Sequence, residues 1–293
     1  MNYSYEEQLK KNIDRYKKSI EVNRKLGHPP SQLELTILAR EEAELRLLTE
    51  KKVEARDRGK KTKRIVWSDG NNVFVIRKGK TTNDKISNGS ELVQTYTFSM
   101  EQYQLATTSK GFGTKKFFSL DGSNCMDCPF SGNGGKGGCY THKGVQYMGF
   151  LSMLRSIKPD ELTPLDDSKR IRIVGMCIRT YIRFGTYGEP SLIPIDLIER
   201  MTNVGSNWTG YTHQWEKDWA QEYRNYFMAS RHEATEAIGW RSFQAIDDDQ
   251  HQQSNAVGCP ASKENGYKSN CATCGLCSGL LGKGKKDVKI LIH

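Results

Sequence analysis

The clearest strand-then-helix pattern in this chain is residues 171–203, IRIVGMCIRTYIRFGTYGEPSLIPIDLIERMTN. Residues 171–185 are rich in apolar and β-branched side chains and predict a strand, at least at their end. A G-E-P turn follows, and PIDLIERMTN (194–203) has the apolar spacing of a short helix. A strand that leads through a turn into a helix is the building unit of a parallel sheet.

The same order of elements recurs on both sides of this unit. Before it, FFSL (117–120) predicts a strand and VQYMGFLSMLRS (145–156) predicts a helix. Three strands are predicted after it, at WTGYTHQW (208–215), YFMAS (226–230) and WRSFQAI (240–246). Because no G-x-G-x-x-G follows a strand, we predict an α/β fold in which residues 117–258 form a partial (βα) barrel rather than a dinucleotide-binding sheet.

The first hundred residues follow other patterns. Helical periodicity runs over residues 4–25 and again from Ser31 to about Arg56, where Ser31 and Glu34 have capping-box spacing, so we predict a helical hairpin over 1–58. The alternating runs RIVWS, VFVIRKG and LVQTYTFS then predict a small antiparallel β-region over 63–116.

Seven of the eight cysteines fall into two clusters. The first cluster is the trio Cys125, Cys128 and Cys139; the second is the quartet Cys259, Cys271, Cys274 and Cys277, in a C-terminal segment over 259–293. Thiolates are soft ligands, and C-x2-C spacing lets one turn present two sulfurs to one ion. Both clusters are therefore predicted to bind metal or iron–sulfur centres, in loops that follow strands. The remaining thiol, Cys177, lies in an apolar run and is predicted to be buried.

The sequence leaves the identity of the metal open. If His142 is counted, the trio has the spacing C-x2-C-x10-C-x2-H, which is close to that of a zinc finger. Without His142, three thiolates and a vacant fourth position fit an iron–sulfur centre. The quartet fits an all-cysteine zinc ribbon or a 4Fe–4S cluster, and its C-x2-C-x2-C spacing favours iron–sulfur. A disulfide framework is the third alternative, but the N-terminus has no apolar signal-peptide core.

The order of elements over 117–277 resembles that of radical S-adenosylmethionine (SAM) enzymes. Those enzymes carry a cysteine loop after the first strand and a G-G-E-P-like turn after the second, and Gly188, Glu189 and Pro190 match the last three positions. The resemblance implies that the trio holds a 4Fe–4S cluster and that Glu189 contacts the amino group of SAM. The chain departs from the family in its cysteine spacing, which is usually C-x3-C-x2-C, and in having Tyr187 before Gly188.

The chain is also similar to a bacteriophage family described as gene product 88-like. The shared features are Cys139–Tyr140, Gly188–Glu189, Tyr211–Thr212 and a terminal CPAx…CxxCxLC that spans Cys259 to Cys277. This resemblance implies a phage origin and a location in the cytoplasm of the host cell, where thiols stay reduced. It does not imply a particular reaction.

Together these patterns predict a phage-type metal- or iron–sulfur-binding protein, a divergent radical SAM-like enzyme whose small-molecule or macromolecular substrate is not indicated. His213, at a strand end, is a further candidate for cofactor binding, and Ser230, Arg231 and His232 after the next strand are weaker candidates. The net charge of +10 permits a nucleic-acid partner. The alternative is therefore a non-catalytic, zinc-stabilised nucleic-acid-binding protein. No apolar run is long enough to predict a membrane span.

Overall fold

The computed structural model describes residues 5–25, 27–31, 34–42, 44–45, 64–87, 89–135, 139–142, 144–232 and 237–291. The chain divides into two compact units, Met1–Thr62 and Lys63–His293. The two units are described separately below. None of the helices in the described ranges combines the length and the apolar composition that crossing a membrane requires.

The first unit contains helix α1 (Tyr5–Lys25) and a second helical stretch over 34–42. Leu9, Ile13 and Ile20 recur at intervals that share one helical face, and all three are buried. Lys17 of α1 pairs with Glu42 of the second stretch at 2.7 Å. The two helices of the predicted hairpin therefore contact each other.

The predicted capping box opens the second helical stretch. The backbone N–H of Glu34 donates to the Ser31 hydroxyl oxygen at 3.2 Å, and the backbone N–H of Ser31 donates to Glu34 Oε2 at 3.0 Å. These two bonds satisfy donors that a helix start leaves without partners. The predicted continuation of this helix to Arg56 lies outside the described residues.

The second unit begins with a five-stranded sheet in the order β1-β2-β3-β4-β5. Its strands are β1 (Arg64–Ser68), β2 (Asn72–Lys80), β3 (Glu91–Ser99), β4 (Tyr181–Tyr187) and β5 (Asn207–Thr209). The pairs β1–β2 and β2–β3 are antiparallel, whereas β3–β4 and β4–β5 are parallel. The antiparallel region thus continues into the parallel strands, and the predicted boundary at 116/117 does not separate two sheets.

The second sheet has the order β6-β7-β8-β10-β9, and all its pairs are parallel. Its strands are β6 (Tyr211–Thr212), β7 (Met228–Arg231), β8 (Ser242–Ile246), β9 (Val257–Gly258) and β10 (Val288–Leu291). Strand β10 lies between β8 and β9, so the predicted boundary at 258/259 also runs through one sheet.

Gly210 is the only residue between β5 and β6, so the two sheets meet along residues 207–212. A Cβ at Gly210 would lie 2.5 Å from the ring of Phe227, which explains why a glycine stands there. The predicted mixed α/β architecture is confirmed. In the described part of the chain the pairing ends at β1 and β5 in the first sheet and at β6 and β9 in the second, and the sheets do not close into a barrel.

The helices of the second unit lie between and around these strands. They are α2 (Asp84–Ser87), α3 (Met100–Thr108), α4 (Thr114–Phe118), α5 (Gly122–Cys125), α6 (Gly144–Arg155), α7 (Asp167–Cys177), α8 (Ile195–Val204), α9 (Asp248–Gln253) and α10 (Cys271–Cys274). The helices predicted at 145–156 and 194–203 correspond to α6 and α8. The run HEATEAIG (232–239) has a helical sequence pattern, but its residues 233–236 lie outside the described residues.

One predicted strand is helical instead, and a second is a strand only at its end, in β4, where the strand was predicted. FFSL (117–120) is the end of α4 and a turn, because Phe117 and Phe118 pack together with α3 and α6 in one apolar cluster. The first half of 171–185 belongs to α7, whose N-cap Asp166 accepts a hydrogen bond from the backbone N–H of Lys169 at 2.7 Å. This places Cys177 on the buried face of α7, in agreement with the predicted buried thiol.

Strand β2 shows why the first sheet is covered on both faces. Its side chains alternate in direction, so Phe74 and Ile76 join one apolar cluster, whereas Val73 and Val75 join another. The first cluster also contains side chains of α7 and α8, and the second contains side chains of α3 and α6. Helices therefore pack on both sides of the sheet, and the strand ends are left for loops.

Candidate metal-binding sites

The loop that carries the trio is attached to the carboxyl ends of parallel strands. Asn124 Nδ2 donates to the carbonyl oxygen of Thr97, near the end of β3, at 2.8 Å. The carbonyl oxygen of Asn124 accepts the backbone N–H of Glu189, just past β4, at 2.7 Å. Ligands of parallel α/β folds bind at this end of the strands. The trio therefore stands where a functional site is expected.

Asp121 folds the glycine-rich insert back onto the trio. Its buried carboxylate accepts the backbone N–H groups of Gly132 and Asn133, both at 2.9 Å. A Cβ at Gly132 would lie 2.2 Å from the carbonyl oxygen of Phe118, so this approach requires glycine. Burial raises the pKa of Asp121, and the two backbone hydrogen bonds oppose that rise. Our sequence analysis missed Asp121, although an aspartate before Gly-Ser is a turn signal.

The three thiols of the trio lie within electrostatic range of one another. Burial raises the pKa of Cys125, and the charges of Asp121, Cys128 and Cys139 raise it further. Burial raises the pKa of Cys128 to about 12, and Cys139 is again among the groups that add to the rise. The structure therefore brings together three cysteines that span C-x2-C-x10-C in the sequence.

Backbone hydrogen bonds favour the thiolate form at three of the clustered cysteines. The donors are two residues further along the chain in each case: Phe130 for Cys128, Thr141 for Cys139 and Ala261 for Cys259. Each bond lowers the pKa of its thiol, against the larger effect of burial. A donor aimed at sulfur stabilises the negative charge that a metal-bound thiolate carries.

His142 is directed toward Asp121. Its ring stacks on Phe118 with the centroids 3.9 Å apart, and its Nε2 lies 3.9 Å from Asp121 Oδ2. Burial lowers the pKa of His142, and the charge of Asp121 opposes this. The contact with Asp121 is too long for a hydrogen bond and leaves the buried Nε2 without a hydrogen-bond partner, so His142 as a metal ligand stays a prediction of its zinc-finger spacing.

His213 is the histidine next to the thiols. Its Nε2 lies 4.0 Å from Cys128 Sγ and 3.3 Å from Nε2 of His232. Burial and, to a lesser extent, the charge of His232 lower the pKa of His213 to about 4, so the ring is neutral at physiological pH. The two histidines follow β6 and β7, and only their positions at strand ends were predictable from the sequence.

The G-E-P turn joins the ends of β4 and β6. The Glu189 carboxylate accepts the backbone N–H of Ser191 at 3.1 Å, the Ser191 hydroxyl at 2.6 Å and the backbone N–H of His213 at 3.2 Å. Burial raises the pKa of Glu189, whereas these bonds lower it. A carboxylate offers about four acceptor positions, so donors of the protein itself occupy most of them. Glu189 therefore fixes the backbone of His213.

The neighbours of Glu189 in this turn are set by close packing. Gly188 has φ +77°, and a Cβ there would lie 2.3 Å from the carbonyl oxygen of Thr97. Pro190 is buried and starts the short 3-10 turn Pro190–Leu192. The turn residues that the sequence singled out thus hold β3, β4 and β6 together at their carboxyl ends.

Two fully buried amides beside the site have polar atoms without a hydrogen-bond partner. These atoms are Oδ1 of Asn124 and both Oε1 and Nε2 of Gln214. Leaving such a group unpaired costs about 1–3 kcal/mol, and such atoms call for a specific explanation, such as a bound ligand or water. Sequence analysis missed both residues, whose only signal was that they adjoin Cys125 and His213.

The quartet lies at the opposite, amino ends of the strands. Cys271 packs against Leu92 and Tyr181, at the starts of β3 and β4. Asn207, the first residue of β5, donates through Nδ2 to the carbonyl oxygen of Ala272 at 3.3 Å. Cys259 does follow a strand, β9, but the cluster as a whole is not at the carboxyl ends. The expectation of loops after strands is therefore met in sequence by the quartet, which follows β9, but not by the trio, which follows the helices α4 and α5. In space the trio loop is the one attached to the carboxyl ends of the strands.

The four thiols of the quartet also converge. Burial raises the pKa of Cys277, and the charges of Cys259, Cys271 and Cys274 add to the rise, whereas a hydrogen bond from Tyr211 opposes it. Gly275 follows α10 in the left-handed region (φ +65°) and reverses the chain, which brings Cys277 back toward the helix. The hydroxyl of Tyr211 and the surrounding apolar side chains cover this cluster.

All eight cysteines are free thiols, so the disulfide alternative finds no support. Among the described residues, no three or more His, Cys, Asp or Glu side chains form a group already able to hold a metal ion. The thiols of each cluster are thus close enough to interact electrostatically, but a bound ion would require them to lose their protons and close around it.

No family model matches the chain, and neither curated proteins nor solved structures give a significant match. The resemblances to gene product 88-like and radical SAM proteins therefore stay predictions. Function is inferred below from the chemistry of the two cysteine clusters.

Proposed function

We propose that this protein is a metalloprotein with two cysteine-ligated centres of different roles. The trio holds a three-thiolate 4Fe–4S cluster that acts as a divergent radical SAM-like centre, and the quartet holds a closed centre that stabilises the fold. One observation carries the proposal: hydrogen bonds of Asn124 to Thr97 and Glu189 attach the trio loop to the carboxyl ends of parallel strands, beside the turn Gly188–Pro190. The eight free thiols suit a reducing cytoplasm.

The donor set of the trio can form an open cluster. Three thiolates fill three coordination positions, and the proposal leaves His142, whose ring stacks on Phe118, outside the ligand set. A 4Fe–4S cluster bound by three protein thiolates leaves one iron free for an exogenous ligand. Hydrogen bonds from Phe130 and Thr141 to two of the sulfurs are of the kind that tune such clusters.

Glu189 acts in this proposal as a positioning residue. Because its carboxylate already accepts bonds from Ser191 and His213, its contribution is to fix the turn and the end of β6. The resemblance assigns the turn Gly188–Pro190 to the methionine end of SAM. The unpaired amides of Asn124 and Gln214 are additional polar groups at the same end of the strands.

The test is to measure iron and acid-labile sulfide in protein purified without oxygen. We expect the wild type to be brown, and Cys125→Ala and Cys139→Ala each to lose about four iron and four sulfide per chain. The matched control is Cys177→Ala, which removes the thiol buried in α7 and should retain full iron content. Addition of SAM should change the visible spectrum of the reduced wild type only.

The opposite outcome is equally specific. A colourless wild type that contains zinc and no iron would refute the cluster, and the zinc-stabilised nucleic-acid-binding alternative would take its place. An iron content that both trio substitutions leave equal to that of the wild type would show that the trio is not an iron ligand set.

A further inference from the structure

His213 and His232 face each other at the carboxyl ends of β6 and β7. Their Nε2 atoms are 3.3 Å apart, and their rings are inclined by 20° with the centroids 5.5 Å apart. Neither residue belongs to the trio, although Cys128 Sγ lies 4.0 Å from His213 Nε2. The two imidazoles therefore present nitrogen donors to the same small volume beside the cysteine loop.

The separation of the two nitrogens is that of two ligands on one tetrahedral ion. Zinc–nitrogen bonds of about 2.05 Å at a tetrahedral angle place the nitrogens about 3.3 Å apart. Imidazole is a ligand suited to zinc and to other divalent transition metals. The observed spacing is that of two ligands on one ion, and it is equally within reach of a ring-to-ring hydrogen bond in the absence of metal.

Both rings are positioned by well-packed surroundings. The backbone N–H of His213 donates to the buried carboxylate of Glu189 at 3.2 Å. The ring of Phe130 meets His232 edge-on, with the centroids 4.3 Å apart. The strands that carry the two histidines are paired in parallel, with Thr212 opposite Ala229. Ligands that are placed by strands and locked by packing form a preorganised site.

We propose that His213 and His232 together bind one divalent transition-metal ion of the zinc type, distinct from the centre on the trio. Two imidazoles leave at least two positions on the ion for water or substrate, which is the arrangement of an open, substrate-activating site. The ligand class is therefore a substrate with an oxygen that a Lewis acid can polarise. A two-ligand site is compatible with the absence, among the described residues, of any ready group of three.

Cys128 belongs to the trio and is not counted as a ligand of this second ion. A nitrogen and a sulfur on one zinc ion lie about 3.6 Å apart, whereas Cys128 Sγ is 4.0 Å from His213 Nε2. The two imidazoles suffice for the proposal. It therefore holds whether or not the trio carries an iron–sulfur cluster.

The test counts zinc in protein that is stripped of metal and reloaded under anaerobic conditions. We expect His213→Gln and His232→Gln each to bind about one zinc ion fewer than the wild type, and the double variant to lose no more than either single variant. His28→Gln, at an exposed histidine of the first unit, is the matched control and should bind as much zinc as the wild type. Equal zinc in wild type and both variants would overturn the proposal.

Two further measurements keep the test decisive. X-ray absorption at the zinc edge of the wild type needs no variant to fold, and it should detect two imidazole ligands; a spectrum with sulfur ligands alone would contradict the proposal. Cys125→Ala should lose iron yet keep the histidine-dependent zinc ion. If Cys125→Ala loses iron and keeps this zinc ion, the trio and the histidine pair bind metal independently. A failure of the proposed function can then be told apart from a failure of the histidine site.

Discussion

The two cysteine clusters lie at opposite ends of the same strands, and their surroundings differ accordingly. At the start of β4, Cys271 packs against Tyr181 in an apolar cluster. At the end of β4, Cys125 adds to the raised pKa of the buried Tyr187 hydroxyl. The amino-end cluster is covered by apolar side chains, whereas the carboxyl-end cluster adjoins two histidines and unpaired amides. In our proposal, the same residue type serves stability at one end and chemistry at the other.

The largest difference between the two ends should be seen in folding. Cys274→Ala removes a ligand of the quartet, and structural zinc-type sites contribute about 10 kcal/mol or more to folding, which is comparable to the whole stability of a domain. We expect this variant to lose cooperative thermal unfolding in circular dichroism. Cys139→Ala should instead unfold within a few degrees of the wild type. Equal melting temperatures for the two variants would remove the distinction between the ends.

A substitution in the turn after β4 should have the next largest effect, on the free energy of unfolding. Gly188→Ala combines a positive φ of +77° with a Cβ only 2.3 Å from the Thr97 carbonyl oxygen. We expect it to lower the free energy of unfolding by about 2–5 kcal/mol, as the sum of backbone strain and steric overlap. Gly89→Ala is the control, with φ +74° but no atom within 4 Å of the added Cβ. It should cost only about 1–2 kcal/mol in urea denaturation; equal costs would mean that the close approach is not rigid.

Substitution of Asp121 should weaken iron retention by the trio more than it lowers the stability of the fold. In Asp121→Asn, one of the two oxygens that accept Gly132 and Asn133 becomes an amide nitrogen, so the insert loses one attachment. We expect iron to be lost to a chelator about 10–100 times more readily, as for other residues that support ligands. Asp127→Asn breaks only an exposed ion pair with Lys217 and should leave iron retention unchanged. Identical behaviour of the two variants would exclude a role for Asp121.

The smallest effect should come from a helix cap away from both clusters. Asp166→Ala removes the side-chain acceptor at the start of α7, which should reduce the free energy of unfolding by about 1 kcal/mol. Iron and zinc contents should not change. A loss of metal in this variant would show that binding depends on overall stability rather than on the strand ends.

Local sequence signals were sufficient for the first strands of the sheet. In the DGNN turn between β1 and β2, Asp69 Oδ1 accepts the backbone N–H groups of Asn71 and Asn72 at 2.9 and 2.6 Å, and Gly70 has φ +95°. All these interactions are made within four consecutive residues, so the pattern alone predicts the hairpin. The Ser31–Glu34 capping box was predictable for the same reason.

Long-range pairing explains what the sequence did not predict. The position of the quartet depends on the insertion of β10 between β8 and β9, where Val288 pairs with both Phe243 and Val257. The approach of His213 to His232 depends in the same way on the pairing of β6 with β7. Residue spacing identifies the metal-binding side chains, but such pairings decide at which end of a strand they lie.

The most direct test of the two-centre account is anomalous diffraction at the iron and zinc edges from crystals grown without oxygen. The account predicts an iron signal among Cys125, Cys128 and Cys139 and a separate metal signal among the quartet. The seven-residue strand β4 should separate the two signals by about 20 Å. The absence of any metal signal at the trio, or a single signal shared by both clusters, would contradict it.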